Sequence, residues 1–196
     1  MKVLIACEFS GVVRDAFLQR GHNAVSCDIL PTESGGPHYQ GDVLDILDGG
    51  WDMMIAHPPC TFLSNAGARH LYPKGVLNMD RYAKGMKARE LFMSLYNSNI
   101  ARICIENPTP SKVFELPEKT QVIQPWQFGH PFSKRTCLWL RGLPALTPTH
   151  IVEHRQSTRV AGNWFNKGGK VRQQNRARTF QGIAEAMAEQ WGQLSL

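Results

Sequence analysis

The sequence predicts a single doubly wound α/β domain, a mostly parallel sheet with helices on both faces. Strand-like apolar runs alternate with stretches whose apolar residues recur at helical spacing, the signature of βαβ architecture. At 196 residues the chain suits one domain (1–196) and can bury a substantial core. No internal repeat or low-complexity tract interrupts the pattern.

Lys2 to Cys7 reads as the first strand. Ser10 can cap the following helix, whose Val12, Val13, Ala16 and Phe17 share a face and which Gly21 stops. Ala24 to Cys27 is a short second strand ending at Asp28, and Pro31 to Gly41, rich in Gly and Pro, reads as loop. Asp42 to Leu47 forms a short acidic-apolar element before the strand Trp51 to Ala56. Thr61 to Met79 reads as a long loop with the character of a lid. Asp80 to Asn97 is helical, Ile103 to Ile105 is a strand, and residues 120 to 141 hold two runs in a hairpin-like pair. Thr179 to about Leu194 is the last helix, with Ile183, Ala184, Met187, Ala188 and Trp191 on one stripe.

Composition narrows the function classes. No run approaches the roughly 20 apolar residues of a membrane span, and the N-terminus enters a strand too soon for a signal peptide. The five cysteines (Cys7, Cys27, Cys60, Cys104, Cys137) are widely spaced without a CxxC pair, which argues against a disulfide framework and fits a reducing cytoplasm. The formal charge of +6 is concentrated: Arg155 to Arg178 holds seven Lys/Arg and no Asp or Glu. Such a block is either a solubilising loop or the grip on a polyanion. The interleaved Trp164 and Phe165, with Gly162, Gly168 and Gly169, tilt it toward nucleic acid, because aromatic faces stack on bases.

Chemistry-bearing residues fall at predicted strand ends. His57-Pro58-Pro59-Cys60 closes one strand and Glu106-Asn107-Pro108 the next. Strand carboxyl ends share one crevice in an open α/β sheet, so a thiol and a carboxylate can face one substrate. Cys7-Glu8-Phe9-Ser10-Gly11 joins the first strand to its helix, where a glycine brings backbone close to a ligand, although Gly-x-Gly-x-x-Gly spacing is absent. Asp28 can accept both hydroxyls of a ribose, and Asp42 an exocyclic purine amine; either aspartate can equally cap a helix. Two other readings remain: a metal site on His57 and Cys60, which lacks a second ligand pair, and a Cys60 hydrolase with His70 or His130 as base.

In their order, Phe9-Ser10-Gly11, Asp28, Asp42, Pro58-Pro59-Cys60, Glu106-Asn107 and Arg135 resemble the DNA cytosine-5 methyltransferases, over the whole chain and above all their small phage-type members. The resemblance implies a Rossmann-like S-adenosylmethionine-dependent methyltransferase domain that methylates cytosine C5 in DNA, in the cytoplasm (a host's, for a phage-encoded chain). Phe9, Ser10, Gly11, Asp28, Asp42 and Pro58 would hold S-adenosylmethionine. Cys60 would attack C6 of a flipped cytosine, Glu106 would contact N3 and the exocyclic amine, and Arg135 would steady the base or the nucleophile. The chemistry needs these types: C5 is a poor nucleophile until something adds to C6, and a thiolate is the strongest side-chain nucleophile near neutral pH. A nearby cation, Arg135 or Arg69, would lower the thiol pKa, and a pocket that raises the pKa of Glu106 would let it protonate N3.

The chain departs from the family in length. A basic insert, 142–178, stands where larger members carry a target-recognition domain. Asn107, Arg155, Arg159, Lys167, Lys170, Arg172, Arg176 and Arg178 would then be the DNA contacts. The alternatives are a catalytically reduced protein that binds DNA or cofactor as a decoy or regulator, and a pyrimidine-modifying enzyme acting on a nucleotide.

Overall fold

The computed structural model describes residues 1–157, 175 and 177–194, with backbone alone at 68, 69 and 157. In chain order its elements are β1 (Lys2–Ala6), α1 (Val12–Leu18), β2 (Asn23–Asp28), β3 (His38–Gln40), β4 (Met53–Ala56), α2 (Ala68–Leu71), α3 (Met79–Tyr96), β5 (Arg102–Asn107), β6 (Gln121–Ile123), β7 (Phe132–Ser133), β8 (Thr136–Arg141), β9 (Gln156–Ser157) and α4 (Gln181–Gly192). Among the described residues the main sheet has seven strands in the order β3-β2-β1-β4-β5-β8-β6. β8 alone runs against the direction of the other six strands, pairing antiparallel with both β5 and β6, as the predicted hairpin-like pair requires. The Rossmann-like α/β fold is therefore present. β7 and β9 form a separate small parallel pair.

The central strands read as unbroken apolar runs because both sheet faces are covered. All four β4 side chains are fully buried. Alternation divides them between two cores: Val3, Ile5, Met53 and Ile55 pack against Phe17 of α1 and Met187 and Trp191 of α4. Leu4, Ala6 and Met54 pack on the other face against Phe92 and Leu95 of α3. Each large side chain buried this way contributes about 1.5–3 kcal/mol. Trp139 of β8 meets Phe92 edge-on at 5.1 Å and donates its indole N–H to Pro117 O at 2.7 Å.

Strand order reverses between β1 and β4, each the first neighbour of the other, with β2 and β5 outside them. Chains leaving β1 and β4 at their carboxyl ends diverge there and open a crevice.

Four local expectations need correction. Ser10 is not the principal cap of α1: Gly11 occupies the N-cap with φ 77°, and the Glu8 carboxylate accepts from Val13 N (2.7 Å) and Arg14 N (3.2 Å). The loop 31–41 contains β3, which pairs with the end of β2 in parallel register. That loop is held by Arg14, a fully buried guanidinium that donates to Ser26, Ser34 and Gly35 O. Residues 61–79 are not an open loop. They contain 3-10 turns at Asn65–Gly67 and Pro73–Gly75 besides α2, and Asn65 N→Thr109 O (2.9 Å) and Ser111 N→Leu63 O (2.7 Å) tie them to the chain after β5. The element after Asp42 is a single 3-10 turn, Val43–Asp45. No helix among the described residues is long and apolar enough to cross a membrane.

Candidate active site

Parallel register pairs Ala56 with Ile105, so His57 and Glu106 emerge side by side one residue further along. Their side chains meet: the His57 Nδ1 to Glu106 Oε2 distance is 2.9 Å, with only 8% and 12% of the two side chains exposed. Beyond His57 the ladder ends for a covalent reason. His57 N donates to Ala6 O at 2.9 Å, but Pro58 and Pro59 have no N–H to offer. The buried Asn107 amide donates instead to Pro58 O at 3.0 Å, locking the exits of β4 and β5 together. Cys60 then begins a turn, its carbonyl accepting from Leu63 N and Ser64 N at 3.1 and 2.9 Å.

The structure separates Cys60 from the other cysteines. Cys27, Cys104 and Cys137 are buried, whereas Cys7 and Cys60 are half-buried, and Cys7 is set apart by its electrostatics. Burial, with the charges of Asp28 and Asp42 and the neighbouring Cys27, pushes the Cys7 thiol up to about 12. Burial likewise pushes Cys27 up to about 12, and raises Cys104 well above its ordinary value. These thiols are poor competitors as nucleophiles.

Glu106 reverses one expectation. Burial opposes its charge, but the His57 hydrogen bond and the Lys134 charge outweigh burial and hold the carboxyl below its ordinary range, not above it. The cation beside Glu106 is also not the expected one. Lys134 lines a small recess with Glu106, Thr136, Thr179, Phe180 and Ile183, while Arg135, one residue on, is exposed. Sequence reasoning weighed His57 only as a metal ligand and gave Glu8 and Lys134 no role of their own. The readable signal was the histidine directly before Pro-Pro-Cys; Lys134 lies in the turn between β7 and β8, and only the folded chain brings it to Glu106.

On the β1–β2 side, Phe9 and Ser10 are nearly buried, and a Cβ on Gly11 would lie 2.2 Å from Ser34 Oγ. The glycine is therefore required by close approach of the protein itself. Asp28 Oδ1 accepts from Leu30 N at 2.9 Å, and burial raises its carboxyl pKa. Asp42, exposed, caps the following 3-10 turn through Leu44 N at 3.0 Å. Asp42 thus makes the capping contact that was the alternative reading, whereas Asp28 accepts within a bend that no helix follows; Asp28 ends β2 and Asp42 lies two residues past β3. Beside Asp28, Ile29 is 76% exposed, a large apolar side chain at the rim.

The expected DNA contacts divide. Asn107 is buried and holds Pro58. Arg178 donates to Glu33 through Nε (2.9 Å), bonds Asn175, and lies 5.9 Å from the Phe9 ring. Arg155 is exposed, with its guanidinium 3.7 Å from the Trp126 ring centroid. Arg159, Lys167, Lys170, Arg172 and Arg176, the neighbouring Gly162, Trp164, Phe165, Gly168 and Gly169, and the Arg69 side chain lie outside the described residues. An unforeseen groove of about 550 Å³ opens two residues past Cys60, lined by Phe62, His70, Asp80, Arg81 and Lys84 among others. His130 has a structural role: its Nε2 accepts from Gly182 N at 3.0 Å, at the start of α4.

No family model and no curated protein matches the chain. Among solved structures, the chain is similar to the methyltransferase EhMeth of Entamoeba histolytica, at 16% identity and TM-score 0.47, over 76% of this chain and 57% of that one. It is also similar to the Dnmt2 methyltransferase of S. pombe, at 15% identity and TM-score 0.39, over 86% of this chain and 56% of that one. The chain thus spans a little over half the length of each of these proteins.

Proposed function

We propose that the chain transfers a methyl group from S-adenosylmethionine to C5 of cytosine in DNA, through a covalent adduct at Cys60. What carries the proposal is the placement of a half-buried thiol and a buried, hydrogen-bonded carboxylate at the exits of two adjacent strands, β4 and β5. Support for the cofactor comes from the β1–β2 side. There a half-buried aspartate, able to accept ribose hydroxyls, adjoins the exposed apolar Ile29, which offers a face to a purine. When bound, the cofactor supplies an electrophilic methyl group on a sulfonium.

The chain's residues would act as follows. Cys60 Sγ bonds to C6, and the ring electrons pass toward N3, which takes a proton. C5, now nucleophilic, takes the methyl group. Loss of the C5 proton to a base then expels Sγ, restores the ring and returns N3 to its starting state. Glu106, kept ionised by His57 and Lys134, accepts from the exocyclic amine as the base enters. A base inside a duplex has to be extruded first, at a cost of a few kcal/mol. Phe62 beneath Arg81 (5.1 Å) and Lys84 (6.0 Å) supports a polynucleotide partner, since stacking and phosphate contact need that pairing of residue types.

The test is DNA containing 5-fluorocytosine, incubated with the protein and S-adenosylmethionine. A covalent complex is expected with the native chain and none with Cys60→Ser. An adduct that survives Cys60→Ser moves the nucleophile elsewhere. No adduct and no methyl transfer, together with measurable DNA or cofactor binding, replaces the enzyme by a binding protein. Bisulfite sequencing of DNA from expressing cells then reads the target sequence.

A further inference from the structure

We propose that His57 is a positioning residue for Glu106: it fixes which carboxylate oxygen meets the base and sets the pH range in which Glu106 gives up a proton. The inference rests on the proposed methyl transfer for its chemical purpose, though not for its geometry. Three observations lead to it. The register brings the two residues together one step past the last paired residues, and both are nearly buried at 2.9 Å. The bond uses Nδ1 and Oε2, so a base would meet Oε1. His57 Nε2 is buried and has no hydrogen-bond partner among the described residues, whereas a histidine kept for packing normally has both nitrogens satisfied.

The charges around the pair are mixed. Glu8 at the exit of β1 and Asp28 at the end of β2 both feel the His57 charge. Lys134, just before β8, acts on Glu106 from the other side. His57 therefore stands among three carboxylates, and Glu106 between the His57 ring and Lys134. In the reaction, the ionised Glu106 accepts from the exocyclic amine as Sγ adds to C6 and N3 takes a proton from water, and the Nδ1–H holds the carboxylate in place. When Sγ leaves, N3 returns that proton to water, so the pair ends as it began.

The experiment compares the full chain with His57→Ala and His57→Asn. The Asn amide nitrogen can stand where Nδ1 stands but cannot titrate. The first readout needs no turnover: the Glu106 carboxyl signal, assigned as the ¹³C resonance missing from Glu106→Gln, is followed against pH. Without His57, burial is opposed by Lys134 alone, so the midpoint moves to higher pH in His57→Ala and by less in His57→Asn. The second readout is the pH profile of kcat/KM for methyl transfer to DNA. Its acid limb, where ionised Glu106 is lost, moves to higher pH in the same order. An unchanged Glu106 midpoint in the variants overturns the proposal. If His57→Ala does not fold, His57→Asn against the native chain decides alone. A shifted midpoint in a protein that never transfers a methyl group leaves the positioning intact and overturns the proposed reaction instead.

Discussion

Glu8→Ala should be among the more damaging single changes to this chain, although the sequence alone gives Glu8 no role in the strand-to-helix turn where it stands. The carboxylate is 4% exposed and accepts from Val13 N at 2.7 Å, Arg14 N at 3.2 Å and Ser10 Oγ at 3.3 Å. Truncation leaves two first-turn amides of α1 without their acceptor, in a place that water reaches poorly. Each unpaired buried donor costs about 1–3 kcal/mol, and the helix loses a cap of about 1 kcal/mol. Part of this is returned, because a buried carboxyl no longer has to be desolvated, so a net loss of about 2–4 kcal/mol is expected. That is a large fraction of the 5–15 kcal/mol typical of a folded domain. Urea unfolding followed by far-UV circular dichroism measures it. Glu8→Gln should recover part of the loss, since its amide oxygen can still accept from Val13. The pH dependence adds a second check. Burial raises the Glu8 pKa despite the opposing charge of His57 and the three hydrogen bonds. A carboxyl raised in the fold contributes fully below its unfolded pKa, and its contribution declines as pH rises through the folded value. The deficit of Glu8→Gln should therefore be largest in acid and narrow toward neutral pH. A loss under about 0.5 kcal/mol for Glu8→Ala would refute the capping assignment. A Gln deficit that grows with pH would refute the burial argument.

Three further outcomes are expected. Lys134→Gln should slow adduct formation and raise the Glu106 titration midpoint, whereas Arg135→Gln should do neither, since Arg135 is exposed beside the recess that Lys134 lines; equal effects on the midpoint would return the role to Arg135. Asn107→Ala should cost about 1–3 kcal/mol by leaving Pro58 O unpaired, read by urea unfolding, and should slow alkylation or trapping of Cys60; native stability would show that the amide does not hold the Pro-Pro-Cys turn. Arg178→Ala should leave the salt dependence of DNA affinity unchanged, because its guanidinium is already held by Glu33. A fall of about 0.9 in the log–log slope would make Arg178 a phosphate contact.

The fold was legible because its central strands are covered on both faces. Runs such as Met53-Met54-Ile55-Ala56 have to be apolar throughout, and that continuity survives in a single sequence. β3 was hidden for the opposite reason. It is an edge strand of three residues, His38 to Gln40, paired on one side to Ser26 through Asp28, and it lies in a Gly/Pro-rich stretch whose shape Arg14 fixes from 24 residues upstream of His38 at its nearest. Cys60 and Glu106 could be read as strand-end residues since each follows an apolar run. Their electrostatics could not. Burial alone would raise the Glu106 pKa, and only the fold reveals that His57, brought in by the β4–β5 register, and Lys134, in the turn before β8, reverse the sign.

The same register shows why the acidic groups lie where they do. Glu8 and Asp42 follow β1 and β3, and Asp28 and Glu106 lie in the last two residues of β2 and β5, at one end of the sheet; their charges are felt jointly, for Asp28 and Asp42 both act on Cys7, and His57 acts on Glu8, Asp28 and Glu106. Such a crevice favours a cation over a neutral molecule of the same shape, most strongly where water is thin. Under the proposed reaction, these carboxylates hold a ligand bearing a sulfonium more tightly than the neutral thioether left after transfer, so the charge that makes the methyl group electrophilic also distinguishes substrate from product. His57 and Lys134 offset this field locally, beside Glu106, where an incoming pyrimidine would otherwise meet an unrelieved negative charge. The crevice is thus divided by its strands into an anionic half at β1–β3 and a compensated half at β4–β8. That division follows the two ligands that the chemistry brings together, a cationic donor and a neutral base.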